Sequence, residues 1–323
     1  MRVAVINAGS SSLKLSVVDD DDHATELESL ADVGAVDADA VGHRVVHGGE
    51  RFTEPVVIDQ DVERALADLV PLAPLHQPAA LEGIRAAKEA LPGVPQVACF
   101  DTAFHSTLPA AASTYAVPRA WAVRRFGFHG LSHQWAAGQA AALGRRVVSC
   151  HLGAGASLAA VVDGRCVDTT MGFTPLEGLV MAARSGTVDP GLVLWLQTER
   201  GLSADEVGDG LERHGGLVAL AGTADMREVL ARDDAEARHA IAVYVHSLCR
   251  HVGAMAASAG GLDALVFTGR IGERAAPIRA AVVDRLGWLA PFETLVVESR
   301  EDLVIAHAVR RLCGRSGAET TPS

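Results

Sequence analysis

The chain has 323 residues, enough for two domains at about 100–200 residues each. Hydrophobic residues are 49% and charged residues 21%, which excludes a disordered chain, and with aromatics at only 4% the core must be built mostly of Ala, Val and Leu. Lys and Arg number 28 against 40 Asp and Glu, a net charge of −12, which excludes a general binder of nucleic acid or of an anionic membrane.

The first element is predicted from RVAVINAGSSSLKLSVVDDDD, an apolar run, a Gly/Ser turn and a second alternating run, the pattern of a β-hairpin. The acidic residues Asp19–Asp22 end it, and the segment to about Asp39 is poorly patterned. Residues 59–70 and 78–91 carry helical spacing, with Pro71, Pro74 and Pro78 between them. PQVACFDTAF reads as a short buried strand running into a loop, and 132–144 as a helix. VVSCHLGAGASLAAVVDG repeats the hairpin pattern, with a Gly-rich turn and a closing Asp-Gly. LDALVFTGRIGERAAPIRAAV reads as strand, turn and helix. DLVIAHAVRRL is helical and GRSGAETTPS a disordered tail. The alternation of strands and helices predicts an α/β protein. The two hairpins, with turns NAGSSSLK and HLGAGASL, predict an internal duplication, with a nucleotide in a cleft between the halves.

Mean hydropathy is +0.21, yet no apolar run approaches the ~20 residues of a membrane-spanning helix. The opening MRVAVINAGSSS has too short an apolar stretch for a signal peptide. The cysteines Cys99, Cys150, Cys166, Cys249 and Cys313 are scattered, odd in number and without a CxxC. They read as reduced thiols filling a core in the cytoplasm.

Several segments carry the residue types of phosphate chemistry. In Asn7–Lys14, Gly9 lets the backbone approach a ligand, Ser10, Ser11 and Ser12 offer hydroxyls, Lys14 adds charge, and Asn7 offers a neutral oxygen suited to a hard cation. It is not a Walker A loop, and alone it would be a plain hairpin turn. The turn at His151, Leu152, Gly153, Ala154 and Gly155 is a lone GxG, given weight by the matching first hairpin. Gly269–Glu273 lacks a full GxGxxG, which argues against a dinucleotide-binding dehydrogenase. His43 and His47, like His129 and His133, stand four apart, but the flanking glycines make poor helices of both contexts and no zinc site is predicted. Arg44 and Arg184 sit in glycine-containing, non-helical contexts where a guanidinium can grip a carboxylate or phosphate, although most of the 26 arginines must be solvated surface charges. Asp101 directly follows a strand, a position shared by functional carboxylates and by simple Asx turns. Glu301 and Asp302 favour the dipole of the last helix.

Together these segments resemble the acetate kinase family, which includes propionate kinases and belongs to the actin-like superfamily with the sugar kinases. The matching stretches are VINAGSSSLK, GHRVVHGGE, PLAPLHQP, FDTAFH, FGFHGLSH, CHLGAGAS, VDTTMGFTPLEGL, RSGTVDP and FTGRIGE, in family order from residue 3 to about residue 275. The resemblance implies an α/β fold of two duplicated ribonuclease H-like domains of the actin-like (ASKHA) type with an interdomain cleft. The division expected is 1–103 plus 300–314 for the first domain with the C-terminal helix, 104–299 for the second with the nucleotide loops, and 315–323 for the tail. It implies reversible transfer of a phosphoryl group from ATP to acetate or propionate, giving ADP and an acyl phosphate, with Mg²⁺ or Mn²⁺. A homodimer with neither nucleic-acid nor membrane partners is implied as well.

Carried over residue by residue, the resemblance makes Asn7 and Glu301 the metal contacts. Arg44 and Arg184 bind carboxylate and phosphoryl groups, and Asp101 and His129 are catalytic. Val46, Leu75, Phe128 and Pro175 line the acyl pocket. The nucleotide is met by Ser10, Ser12 and Lys14, by His151–Gly155, by Asp225, Met226 and Arg227, and by Arg270, Ile271, Gly272, Glu273 and Arg274. An acceptor carboxylate is ionised at neutral pH and needs no general base, so Asp101 is expected to orient Arg44 or the metal's water shell. Some positions depart from the family pattern. Ala154 replaces the asparagine of a usual GNG turn, Arg270 stands for a glycine and Arg274 for an asparagine. SREDLVIA replaces a TNEELVIA-like run, and the chain is short for the family. Two other readings follow from these departures: an acyl kinase with a different donor such as pyrophosphate, and a non-catalytic protein that binds acyl phosphate or nucleotide.

Overall fold

A computed structural model of the protein describes residues 1–8 and 13–315. The first half of the chain runs β1 (Val3–Ala8), β2 (Leu13–Val18), β3 (Ala24–Leu27), α1 (Leu30–Ala35), β4 (Ala40–Val45), β5 (Val56–Val57), α2 (Gln60–Asp68), α3 (Gln77–Ala90), β6 (Gln96–Phe100), α4 (Ala110–Ser113) and α5 (Gly130–Gln139). The second runs β7 (Arg146–Leu152), β8 (Ala156–Val162), β9 (Arg165–Thr169), α6 (Pro190–Thr198), α7 (Ala204–Glu212), α8 (Gly216–Ala221), α9 (Met226–Ala231), α10 (Ala235–Ser258), β10 (Ala264–Thr268), α11 (Gly269–Arg274), α12 (Ala276–Arg285), β11 (Glu293–Val296) and α13 (Glu301–Arg315). Two compact units result. The first holds Met1–Ser106, Phe128–Trp135 and the chain from Arg300, and the second holds Thr107–Gly127 and Ala136–Ser299. Residues 128–135, placed by the chain-order division with the second domain, pack with the first unit. Of the expected tail 315–323, Arg315 ends α13 and the rest lies outside the described residues.

The first unit is built on a sheet of order β3-β2-β1-β4-β6-β5. β1 pairs antiparallel with β2 and parallel with β4, and β4 pairs parallel with β6. Both faces are covered, which is why β1 is a nearly continuous apolar run. Val3 and Val5 face a cluster with Leu131, Leu303, Ile305 and Val309 from α5 and α13. Ala4 and Ile6 face Val33 and Ala87 from α1 and α3. The approach of α13 to the sheet is close: a Cβ on Gly42 would lie 2.9 Å from Val309 Cγ2 and nearer still to Ile305 Cγ2.

The second unit repeats the plan. Its sheet runs β11-β10-β7-β8-β9, with an antiparallel β7-β8-β9 meander and β10 and β11 added in parallel. The order β9-β8-β7-β10-β11 matches β3-β2-β1-β4-β6 strand for strand, as the duplicated hairpins predict. Among the described residues no helix is long and apolar enough to cross a membrane.

Three local expectations are corrected. The poorly patterned 23–39 segment forms β3 and α1. β3 is an exposed edge strand whose sequence ATEL has no apolar alternation, and it is held by pairing with β2. The expected turn between β10 and its helix is compressed to Gly269, at φ +77°, with which α11 begins. His133 does lie on a helix, since α5 starts at Gly130.

Candidate functional site

In the first unit, β1, β4 and β6 bring their C-terminal ends together, the edge of a parallel sheet where α/β proteins place functional groups. Asn7 and Arg44 are register partners on β1 and β4, and Asp101 is the first residue after β6. Arg44 donates from Nε to Asp101 Oδ1 at 3.0 Å and from Nη2 to Oδ2 at 2.6 Å, a two-pronged ion pair. Its Nη1 donates to Asn7 Oδ1 at 3.1 Å and lies 3.5 Å from Glu301 Oε2. Asn7 Nδ2 donates to the same Glu301 oxygen at 2.7 Å, so α13 closes the group from residue 301. Asp101 is 1% exposed. Burial pushes its carboxyl up from the usual carboxylate range, against the pull of Arg44 and of the His129 backbone N–H that bonds to it. Burial works against the Arg44 charge too, but Asp101 and Glu301 outweigh it and hold the guanidinium fully protonated.

His129 follows directly. Its backbone is left-handed, at φ +57°, and Gly130 N–H donates to the Asp101 carbonyl at 3.0 Å. A side chain at 130 would strike that carbonyl and lie 2.9 Å from Phe104 Cβ. Phe128 is buried, with its carbonyl on His105 Nε2 at 2.9 Å and its ring edge-on to His47 at 5.5 Å. Burial pushes both His47 and His105 down to about 4, so they are neutral near pH 7. Val46 is buried, whereas Leu75 is 53% exposed.

In the second unit the β7–β8 turn closes with Gly153 N–H on the Gly155 carbonyl at 2.9 Å, and Ala182 N–H donates to the Ala154 carbonyl at 3.2 Å. The chain carrying Arg184 is thus tied to the Gly-rich turn. Arg184 Nη1 donates to the Pro175 carbonyl at 2.8 Å and contacts Met181 Sδ at 3.7 Å. Burial pushes the guanidinium down from its ordinary value, with Glu212 pulling the other way. β10 pairs with β7 so that Thr268 stands opposite His151, and Gly269 lies against Leu152. Ile271 and the buried Gly272 follow in α11, and Gly272 and Glu273 give their carbonyls to Arg279 at 2.8 Å each. Glu273 Oε1 accepts Ser299 N–H at 3.0 Å, and Arg274 is exposed. Asp225 caps α9 by accepting Arg227 N–H and is held down to about 2 by hydrogen bonds from Arg227, with a further contribution from the charge of Arg270. Met226 is buried beneath. Lys14 is exposed opposite Asn7 in the hairpin, and Ser10 and Ser12 lie outside the described residues.

The model of the acetokinase family matches residues 30–297. The chain belongs to the acetokinase family. An acetate kinase of Deinococcus deserti is 48% identical over 345 residues, covering 90% of this chain and 86% of its own. An acetate kinase of a Synechococcus species is 46% identical, covering 88% and 78%. The crystal structure of a propionate kinase from Francisella tularensis has a TM-score of 0.88 at 34% identity, covering 95% of this chain and 98% of that one. The actin-like architecture of two related α/β units is therefore that of the family.

Among the described residues no cluster of three or more His, Cys, Asp or Glu is arranged to hold a metal. Asn7 and Glu301 nonetheless each offer a side-chain oxygen, and with Asp101 and Arg44 the group sums to −1. An oxygen-only set with a net negative charge suits a hard divalent cation that keeps most of its water. Reading the sequence missed Tyr115, Arg125 and Glu177, which bond one another beside the Arg184 chain. The signal was present: Glu177 lies inside MGFTPLEGL, one of the matching stretches.

Proposed function

We propose that this acetokinase-family chain transfers the γ-phosphoryl group of ATP to acetate or propionate, reversibly and directly, in the cytoplasm. The observation that carries the reading is the Asn7–Arg44–Asp101–Glu301 group at the ends of three parallel strands. An oxygen of the acceptor carboxylate attacks the γ-phosphorus, the bond to the β-phosphate oxygen breaks, and its electron pair leaves with ADP. The transferring group spreads negative charge over its equatorial oxygens, so positioned cations and N–H donors lower the barrier. Arg44 grips the acceptor carboxylate or the transferring group, and Asp101 fixes its plane. His129 donates to an equatorial oxygen and Arg184 shields another. Asn7 and Glu301 would hold Mg²⁺, which supplies neutralisation of the triphosphate when bound. His151–Gly155, Asp225–Arg227 and Arg270–Arg274 serve the nucleotide. Val46, Phe128, Leu75 and Pro175 set acyl length, with discrimination of ~1–3 kcal/mol per methylene.

We also infer a homodimer, supported by α6, where Leu192, Leu194 and Trp195 are 42%, 63% and 46% exposed. The acetate kinase relatives do not favour a non-catalytic or pyrophosphate-using reading. The test is trapping of product with hydroxylamine across acetate, propionate and butyrate, each with ATP or pyrophosphate. Acyl hydroxamate from acetate or propionate with ATP is expected. Its absence from all three acids with folded protein would reject the proposal.

A further inference from the structure

The second unit contains a charged clamp that none of the proposed reaction steps uses. Glu177 accepts the Tyr115 hydroxyl at 2.6 Å on one oxygen and Arg125 Nη2 at 2.7 Å on the other. Arg125 also donates from Nη1 to the carbonyls of Thr169, Thr170 and Met171, at 3.2, 3.2 and 3.0 Å. Its guanidinium stacks 5.3 Å from the centroid of the Tyr115 ring. Tyr115 in turn accepts Phe173 N–H at 2.9 Å. The chain from 169 to 177 is therefore gripped along its length. The grip leaves no spare volume, since a Cβ on Gly172 would collide with Tyr115 Oη and the Glu177 carboxylate.

What this grip holds in place is the Pro175 carbonyl, two residues before Glu177. That oxygen accepts Arg184 Nη1 at 2.8 Å, and no carboxylate among the described residues stands within ion-pair distance of Arg184. A guanidinium with no contact ion pair, feeling Glu212 only at a distance and anchored by one neutral oxygen, retains its charge for an incoming anion, and its aim depends on where that oxygen sits.

We propose that Tyr115, Arg125 and Glu177 are positioning residues for Arg184, acting through the Pro175 carbonyl, and that the same clamp fixes the Pro175 ring that limits acyl length. The inference rests on the phosphoryl-transfer reading above, and deepens it. The contacts of the clamp are all to this chain's own atoms, and none of its residues is assigned to substrate or nucleotide in the proposed reaction. Its loss therefore shows in kcat and in acyl preference, with the ATP KM unmoved.

The test compares wild type with Tyr115→Phe, which removes a single oxygen atom, and Glu177→Gln, each also in an Arg184→Lys background. Each folded variant should lose roughly 10- to 100-fold in kcat, the scale of a ~1 Å misplacement. The ATP KM should stay within about twofold, and the propionate-to-acetate ratio of kcat/KM should change. With Arg184→Lys already present, Tyr115→Phe should cost less than about twofold, because both changes act on one interaction. Unchanged kcat in both folded variants, or an equal loss in the two backgrounds, overturns the proposal. Hydrogen exchange of the 172–185 amides reads the clamp without catalysis. Faster exchange there in Tyr115→Phe is expected, and unchanged exchange counts against the clamp even if the wild type makes no acyl phosphate.

Discussion

Replacing Gly42 by alanine tests how the last helix is tied to the site. Gly42 lies on β4 beneath α13, and the added Cβ would sit 2.9 Å from Val309 Cγ2, with Ile305 Cγ2 closer still. Carbon atoms prefer ~3.5–4.0 Å, and Ile305 and Val309 are both fully buried, so neither side chain has space to retreat. The helix must lift by about an ångström or its side chains must leave their rotamers, at ~1–3 kcal/mol for overpacking of this kind. Glu301 stands four residues before Ile305, one turn away on the same face of α13. The displacement therefore reaches its contacts with Asn7 at 2.7 Å and Arg44 at 3.5 Å. Urea unfolding should show a lower midpoint at unchanged slope, and steady-state kinetics should show a raised KM for the divalent cation. A Gly42→Ala protein as stable as wild type would refute the packing argument. A destabilised protein with unaltered cation dependence would refute the link from helix to site.

Two other perturbations have outcomes that the structure sets. Gly130→Ala drives a methyl group into the Asp101 carbonyl and Phe104, so it should displace His129 and cut kcat by roughly 10²-fold, read in the hydroxamate assay beside a circular dichroism spectrum. His43, His47 and His105 are buried neutral and pushed down to about 4 by burial, against 6.5 when unfolded. The unfolded chain then binds the extra protons, so stability is complete above pH 6.5 and falls as pH drops toward 4, by up to roughly 3 kcal/mol per histidine. Urea midpoints measured from pH 7.5 to 4.5 check this, and a flat profile down to pH 5 would contradict it.

The two hairpins were legible because each is an apolar run broken by a Gly-rich turn, a pattern that needs no tertiary partner to be read. Asn7, Arg44 and Asp101 were legible one at a time, Asn7 in the first hairpin turn, Arg44 in a glycine-containing, non-helical context and Asp101 directly after a strand. Their convergence comes from the parallel pairing of β1, β4 and β6, which no local pattern announces. Glu301 joins them across 294 positions, through a helix whose approach depends on the missing side chain at 42. β3 and α1 escaped notice because a polar edge strand has no apolar period to detect. The placement of residues 128–135 with the first unit was hidden for a similar reason, since it follows from Leu131 and Trp135 packing against α13 and the sheet.

The Arg44 guanidinium carries the proposed chemistry most directly, its planar fork held by Asp101 and aimed by Asn7. Arg44→Lys retains a cation beside the buried Asp101 but not the fork. For that variant, kcat for acetyl hydroxamate formation from acetate, ATP and Mg²⁺ is predicted to fall by about 10²-fold or more, the scale for losing one placed donor from a developing charge. Turnover within threefold of wild type in well-folded Arg44→Lys protein would contradict it.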